Sequence, residues 1–188
     1  TSFSSVVDFL SERPNKLVSS QNFADRLHKI AINIVDEEIA TKLLVLAGDI
    51  ACHGFGMGEI HLRINAVQLR NAMGVVEGQS ESSAFQDISS RILMEELTTR
   101  ITTEPSWEIN FQSLSEESAT ARRQLMLATQ ILKHIDSDQP IRLLIAECEK
   151  PVTILTALYL AHKFGITNRL DISPLFETTF AMELSLIH

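Results

Sequence analysis

The sequence has few cysteines, no long apolar run and no basic block. Cys52 and Cys148 are the only cysteines in 188 residues, which leaves neither a disulfide framework nor a paired metal-ligand spacing. No stretch approaches the apolar length of a membrane span, and the first residues lack a basic segment followed by an apolar one. We therefore expect a soluble, unsecreted, cytoplasmic protein whose thiols are reduced and buried.

Negative charge predominates over positive charge. The chain has 24 acidic and 16 basic residues, for a net charge of −8, and no block of consecutive Lys or Arg. Nucleic acid and anionic membrane surfaces would require a basic face, so the charge argues against both as partners. A small anionic substrate remains open, because its site needs only a few placed guanidinium groups and a metal.

Helical spacing of apolar residues dominates the first fifty positions. It predicts a helix over 3–11 and one or two amphipathic helices over 22–52. The run from 36 to 52 places apolar side chains on one predicted face: Ile39, Leu43, Leu46 and Ile50. The glycines that follow from position 54 end the helical pattern.

Alternation of apolar and polar residues predicts a strand over 59–65, in which His61, Arg63 and Asn65 form the polar face. The pattern then predicts a helix over 66–73, a flexible, exposed connection near 74–83, and helices over 84–101 and 116–135. It leaves residues 102–114 unassigned. One domain of helical and strand segments follows from this arrangement.

The last fifty residues have the clearest pattern. A short apolar run at 141–147 is typical of a buried parallel strand. A helix follows from Pro151, which suits a first turn, to Gly165, which suits a C-terminal cap, and a second strand is predicted over 170–176. The spacing is that of a parallel crossover unit. The fold class is therefore α/β, mostly helical with a few parallel strands.

Charged residues occupy comparable positions on these strands. Arg63 lies near the end of its strand, Glu147 at the end of the next, and Glu177 just past the last. Ligands bind at the C-terminal ends of parallel strands in α/β folds. Charged residues also end strands simply because strands emerge into solvent, so the pattern alone leaves a functional and a structural interpretation open.

The segment LDISPLFETTFAMEL, from residue 170 to 184, resembles the PLFET stretch of the phosphoenolpyruvate carboxylase family. In that family the glutamate is a ligand of the divalent metal on which the substrate enolate forms. The resemblance thus implies that Glu177 is a ligand of Mg²⁺ or Mn²⁺.

A second segment, HLRINAVQLRNAM, is similar to the family strand and helix with the pattern Asp-Leu-Arg-Gln-Asn. The family arginine binds the substrate, which implies that role for Arg63, and Asn65 matches the pattern as well, which places it at the site mouth. Glu147, from its strand-end position, is a further candidate for the site mouth, but it could equally cap the following helix or pair with Lys150. His61 and Ile64 depart from the pattern. An alternative register, which matches Gln68 to the family glutamine, would put a valine at the arginine position.

The resemblance covers residues 53–73 and 115–188 and implies a TIM-like barrel. The implied reaction forms oxaloacetate and phosphate from phosphoenolpyruvate and bicarbonate, in a full-length enzyme that is a homo-oligomer. We expect residues 1–188 to be a single partial domain, helical over 1–52, with barrel strands and flanking helices over 53–188. A complete barrel needs roughly 250 residues. The family's second metal carboxylate, catalytic histidine and glycine-rich loops have no counterpart here, so we expect an inactive piece with an incomplete metal site.

Two other function classes remain open. Arginine with a carboxylate-held metal also serves other metal-dependent barrel enzymes that act on enolpyruvate or keto acids. Alternatively, the long amphipathic helices belong to a non-catalytic helical assembly module.

Overall fold

In a computed structural model, the chain forms two compact units. The structure describes residues 2–11, 16–56, 58–76 and 90–177, together with 179 and 182. The N-terminal unit contains Thr1–Ile60 and Gln130–Pro140, and the C-terminal unit contains His61–Thr129 and Ile141–His188. The two units are thus divided near residue 60, whereas the sequence pattern changes near residue 53.

Helices make up the described N-terminal segment, with bounds α1 Phe3–Ser11, α2 Ser20–Ala31 and α3 Glu37–His53. Capping side chains begin the second and third of these. The Ser19 side chain accepts a hydrogen bond from the Asn22 N–H, and the Asp36 carboxylate accepts from the N–H groups of Glu38 and Ile39. Such caps satisfy the free N–H groups of a first turn. The prediction of one or two helices over 22–52 is confirmed, and the number is two, α2 and α3.

The buried stripe of α3 differs from the predicted one. Ala47 and Ile50 are buried and Leu43 is half-buried, which gives a stripe at i, i+4 and i+7. Leu46 and Ile39, which the sequence pattern puts on the same face as Leu43 and Ile50, are exposed. The small side chain of Ala47 faces α2. The rotation of α3 is therefore decided by its packing against α2, and the apolar pattern within α3 carries no information about that packing.

A buried aspartate ties together the ends of α2 and α3. Asp136 is 5% exposed. Its Oδ1 accepts hydrogen bonds from the Ser20 hydroxyl at 2.9 Å and the Asp138 N–H at 3.0 Å, and its Oδ2 accepts one from the Phe55 N–H at 2.8 Å. A buried carboxylate with three donors is fully compensated for the loss of water. The turn at 136–139 is therefore part of the packing of the N-terminal unit.

The C-terminal unit contains a sheet of three parallel strands in the order β1-β2-β3, with bounds β1 Ile60–Asn65, β2 Ile141–Ala146 and β3 Leu170–Pro174. The register of β2 and β3 pairs Ile141 with Leu170 and Ile145 with Pro174. The predicted parallel pairing of these two segments is confirmed. So is the α/β fold class.

Five further α-helices occur in the described residues, with bounds α4 Ala66–Val76, α5 Ser90–Thr103, α6 Phe111–Glu116, α7 Thr120–His134 and α8 Pro151–Lys163. The last of these, α8, packs against α4, α5 and β3. It begins at Pro151 and is followed by Gly165 with φ of +70°, as the sequence predicts. None of the described helices combines the length and the apolar composition that a membrane-spanning helix needs.

Several predicted boundaries were wrong. Residues 74–76 of the predicted connection belong to α4, and the rest of it, like residues 84–89 of the next predicted helix, lies outside the described residues. The helix predicted from 116 begins at Thr120, because Glu117 is extended and its carboxylate accepts the Ala119 N–H at 2.9 Å. Helix α6 begins in the unassigned stretch, where Asn110 caps it by accepting the Ser113 N–H.

The cysteines also differ from the prediction of two buried thiols. Cys148 is buried but Cys52 is exposed near the C-terminal end of α3. Position 52 lies off the stripe that contacts α2.

The two faces of the sheet differ in polarity. Ile141, Leu143 and Ile145 are buried on one face of β2. On the other face, the cross-strand partners Arg142 and Asp171 are exposed. Further along the same face of β2, Leu144 is half-buried and Ala146 is buried, so only the part of this face near Arg142 is exposed.

Candidate functional site

Arg63 and Glu177 meet at the C-terminal end of the sheet. The Arg63 Nη2 atom lies 2.6 Å from the Glu177 Oε1 atom. Arg63 lies near the end of β1 and Glu177 follows β3. These are the two outer strands of the described sheet, so the ion pair spans the end of the central strand β2. The side chains are 64% and 39% exposed. Both charged groups can therefore be reached from solvent.

The segment after β3 carries Glu177 to the end of β2. The Leu175 N–H donates a hydrogen bond of 2.9 Å to the Ile145 carbonyl and so extends the pairing of the two strands. Two residues further on, the Glu177 Oε2 atom accepts a hydrogen bond of 3.4 Å from the Glu147 N–H. The structure thus brings together three of the residues that the sequence placed at the site.

Glu147 has an uncommon backbone conformation. Its φ is +54°, and it is the one non-glycine residue with a positive φ in the part of the chain that the structure describes. Position 147 ends β2 as a turn residue, so the strand stops at Ala146 and the predicted strand to 147 was one residue too long. Its side chain is exposed, as expected for a site mouth.

Asn65 has a clear structural role. Its Oδ1 atom accepts the Gln68 N–H at 2.8 Å, and the Gln68 Oε1 atom accepts the Asn65 N–H at 3.0 Å. This reciprocal pair is a capping box at the start of α4. It accounts for both residues without a ligand, and a site role for Asn65 stays a prediction.

Carboxylate ligands for a metal are few around Glu177. Within the described ranges, no group of three or more His, Cys, Asp or Glu side chains is arranged to hold a metal ion. Magnesium takes about six oxygen ligands, of which proteins often supply one or two carboxylates and water and substrate supply the rest. Glu177 fits one such position, and the chemistry of an exposed carboxylate beside a guanidinium suits a hard cation with an anionic substrate.

A second polar cluster joins Glu104 and Pro105, in the stretch 102–114 that the sequence left unassigned, to side chains of α8. The Lys163 side chain is 5% exposed, and its ammonium donates to the Pro105 carbonyl at 2.7 Å and lies 3.2 Å from the Glu104 carboxylate. The Tyr159 hydroxyl donates to the same carboxylate at 2.9 Å. Tyr159 and Lys163 are one turn apart on α8, and this spacing is the signal in the sequence for the cluster.

The charges of this cluster shift the pKa values of its members. The hydrogen bond from Tyr159 lowers the pKa of the Glu104 carboxyl, and Lys163 and Arg100 lower it further, against the opposing effect of burial. Burial raises the pKa of the Tyr159 hydroxyl, and its bond to Glu104 raises it further. Since every one of these groups has a partner, we interpret the cluster as a structural clamp between the end of α5 and α8.

Next to this clamp lies an open depression of about 460 Å³, lined by Trp107, Glu108, Ile109, Ser113, Glu116, Glu117, Arg122 and Met126. The Arg122 guanidinium lies 5.2 Å from the centroid of the Trp107 ring and pairs with Glu117 at 2.8 Å. The Lys163 ammonium lies 4.8 Å from the same ring. The indole thus already has two cations beside it.

Comparisons of the chain with protein-family models, with curated proteins and with solved structures find no match. Function therefore has to be argued from the site itself.

Proposed function

We propose that this chain is part of the catalytic barrel of a phosphoenolpyruvate carboxylase, with Arg63 in the substrate site and Glu177 as a ligand of Mg²⁺ or Mn²⁺. The observation that supports the proposal most is the 2.6 Å ion pair between these two side chains at the C-terminal end of the sheet. Sites of barrel enzymes lie at this end. The sequence segments that contain Arg63 and Glu177 indicate the same two residues independently of this distance.

The reaction needs a cation and a guanidinium in one place. Carboxylation of phosphoenolpyruvate by bicarbonate passes through carboxyphosphate and the enolate of pyruvate, so negative charge appears on phosphate oxygens and on an enolate oxygen. A divalent cation on Glu177 would stabilise the enolate, and Arg63 would bind the phosphate or carboxylate group of the substrate.

The ion pair between the two residues does not oppose this use. Solvent-exposed ion pairs contribute about 1 kcal/mol or less to stability. Both side chains are exposed to solvent. Breaking the pair, so that Glu177 binds a cation and Arg63 binds an anionic substrate, therefore costs little free energy.

The test is carboxylation by the full-length protein that contains this sequence, measured as oxaloacetate formed from phosphoenolpyruvate and bicarbonate with Mn²⁺. We expect Glu177→Gln and Arg63→Ala each to lower kcat/KM by about 10²-fold or more, since each removes a group that stabilises developing charge. Arg70, an exposed arginine on the following helix α4, is the matched control, and Arg70→Ala should retain activity. Near-normal carboxylation by Glu177→Gln would contradict the assignment.

The same assay separates the alternative enzyme class. Consumption of phosphoenolpyruvate that needs Glu177 and Arg63 but not bicarbonate would favour another metal-dependent barrel enzyme acting on enolpyruvate or keto acids.

Exposed aliphatic residues favour a second candidate function, assembly through the N-terminal helices. The connection between α2 and α3 and its flanks expose Ile30, Ile32, Val35 and Ile39, of which Val35 is 97% exposed. Contiguous exposed apolar residues commonly mark interfaces. The test is the mass of this chain by light scattering after chromatography. If copies of the chain associate through this turn, Val35→Gln should lower the mass, whereas Ile92→Gln, at an exposed isoleucine of α5, should not.

A further inference from the structure

Glu147 has a left-handed backbone conformation between two buried neighbours. A residue with a Cβ atom populates this region less readily than the α or β region, and such a conformation persists where the surrounding structure determines it. Ala146 and Cys148, on either side, are both buried, and burial raises the pKa of the Cys148 thiol. The Glu147 side chain, by contrast, is exposed. The left-handed turn at 147 therefore lies between two buried residues, while its own side chain is not buried.

The left-handed turn directs the Glu147 N–H at the Glu177 carboxylate. This N–H lies 3.4 Å from Oε2, while the Arg63 guanidinium lies 2.6 Å from Oε1. The hydrogen bond between Leu175 and Ile145 holds the two segments side by side. One oxygen of Glu177 therefore contacts a fixed backbone group, and the other contacts an exposed, rotatable side chain.

We propose that Glu147 is a positioning residue of the Glu177 site and acts through its main-chain N–H, not through its carboxylate. The inference rests on the proposed function, since it takes Glu177 as the ligand of the cation. A backbone donor keeps its place when Arg63 turns to an anionic substrate. It also orients the carboxylate as outer-shell hydrogen bonds orient metal ligands.

Three variants separate the backbone from the side chain. Glu147→Gly and Glu147→Asn remove the carboxylate but adopt the left-handed conformation readily, whereas Glu147→Val keeps an N–H but disfavours that conformation. In the full-length protein, we expect the Mn²⁺ concentration for half-maximal carboxylation to stay within about twofold for the first two. For Glu147→Val it should rise about tenfold, the lower end of outer-shell effects. Equal losses in all three variants, or no loss in Glu147→Val, would overturn the inference.

A second measurement needs neither activity nor the valine variant. In the ¹⁵N–¹H spectrum of this chain, Glu177→Gln should shift the Glu147 amide resonance, because the acceptor loses its charge. An unchanged resonance would overturn the inference. Absence of carboxylation by the wild-type full-length protein would instead contradict the proposed function, and the amide resonance would still decide whether the Glu147 N–H binds Glu177.

Discussion

The Arg63 guanidinium and the Glu177 carboxylate form an ion pair although 114 residues separate them in the sequence. If these two side chains bind a ligand and do not stabilise the fold, removing the ion pair should hardly change the free energy of unfolding. We expect Arg63→Ala, Glu177→Gln and the double variant to give a coupling energy of about 1 kcal/mol or less in a double-mutant cycle. The measurement is urea unfolding of this chain. A coupling of several kcal/mol would identify the pair as a structural element.

Two glycines, Gly48 inside α3 and Gly54 just after it, provide opposite predictions. Gly54, after α3, has φ of +66°, and a Cβ atom there would approach Asp136 Oδ2 to 2.5 Å and would overlap the Gln139 side chain. Gly54→Ala should therefore lower the free energy of unfolding by more than about 1 kcal/mol. In Gly48→Ala, the new Cβ atom has nothing within 4 Å, and the variant should gain about 0.5–1 kcal/mol. Equal effects in urea unfolding would refute this account of the turn.

Removal of the Asp136 carboxylate should be costly. Asp136→Ala leaves three donors, on Ser20, Phe55 and Asp138, without their acceptor. We expect a loss of about 3 kcal/mol, in the range for buried charged hydrogen bonds. The control is Asp25→Ala, which removes an exposed acceptor of the Gln21 side chain and should cost under about 0.5 kcal/mol. Similar losses for the two variants would disprove the special role of Asp136.

The clamp around Glu104 makes stability depend on pH. The hydrogen bond from Tyr159 and the charges of Lys163 and Arg100 lower the folded pKa below the ordinary value of 4.5. A lowered carboxyl pKa stabilises the fold above the unfolded pKa, and that contribution is lost as the pH falls through the folded pKa. The Glu104 side chain is about one-third exposed, so solvent weakens the effect.

The comparison of wild type with Glu104→Gln measures this contribution. Wild type should be the more stable at pH 7, and the difference should shrink as the pH falls below about 4.5. A difference that is constant from pH 7 to pH 3 would mean that the Glu104 charge does not stabilise the clamp.

The two cysteines should differ in reactivity. Cys52 is exposed, whereas Cys148 is buried and its pKa is raised by that burial. Because the thiolate is the reactive form, we expect a thiol reagent to modify Cys52 rapidly in the folded chain and Cys148 only on unfolding. Mass spectrometry of the modified peptides measures both rates. Equal rates under native conditions would contradict the burial of Cys148.

Local signals accounted for most of the predicted fold. Pro151 and Gly165 mark the ends of α8, and apolar runs mark β2 and β3, because these signals act within a few residues. The rotation of α3 was missed since its buried stripe depends on α2. Likewise, the interactions of Lys163 with Pro105 join positions 58 residues apart, and no periodicity within residues 102–114 reveals them.

The candidate site divides in the same way. The positions of Arg63 and Glu177 at strand ends were predictable, because strand boundaries are local. Their direct pairing was not, since it depends on the strand order of the sheet. The backbone of Glu147 was also not predictable, because glutamate is not a residue type that signals a positive φ.

The aromatic residues with the strongest optical signals all lie in one unit. Trp107 and Tyr159 are the only tryptophan and tyrosine of the chain, and both belong to the C-terminal unit. The Arg122 guanidinium and Lys163 ammonium beside the indole make its emission sensitive to loss of that packing. Tryptophan fluorescence therefore monitors the C-terminal unit, while far-ultraviolet circular dichroism monitors the helices of both units. Coincident transitions by the two signals would indicate one cooperative folding unit. Separate transitions would assign the fluorescence step to the C-terminal unit, which carries Arg63 and Glu177.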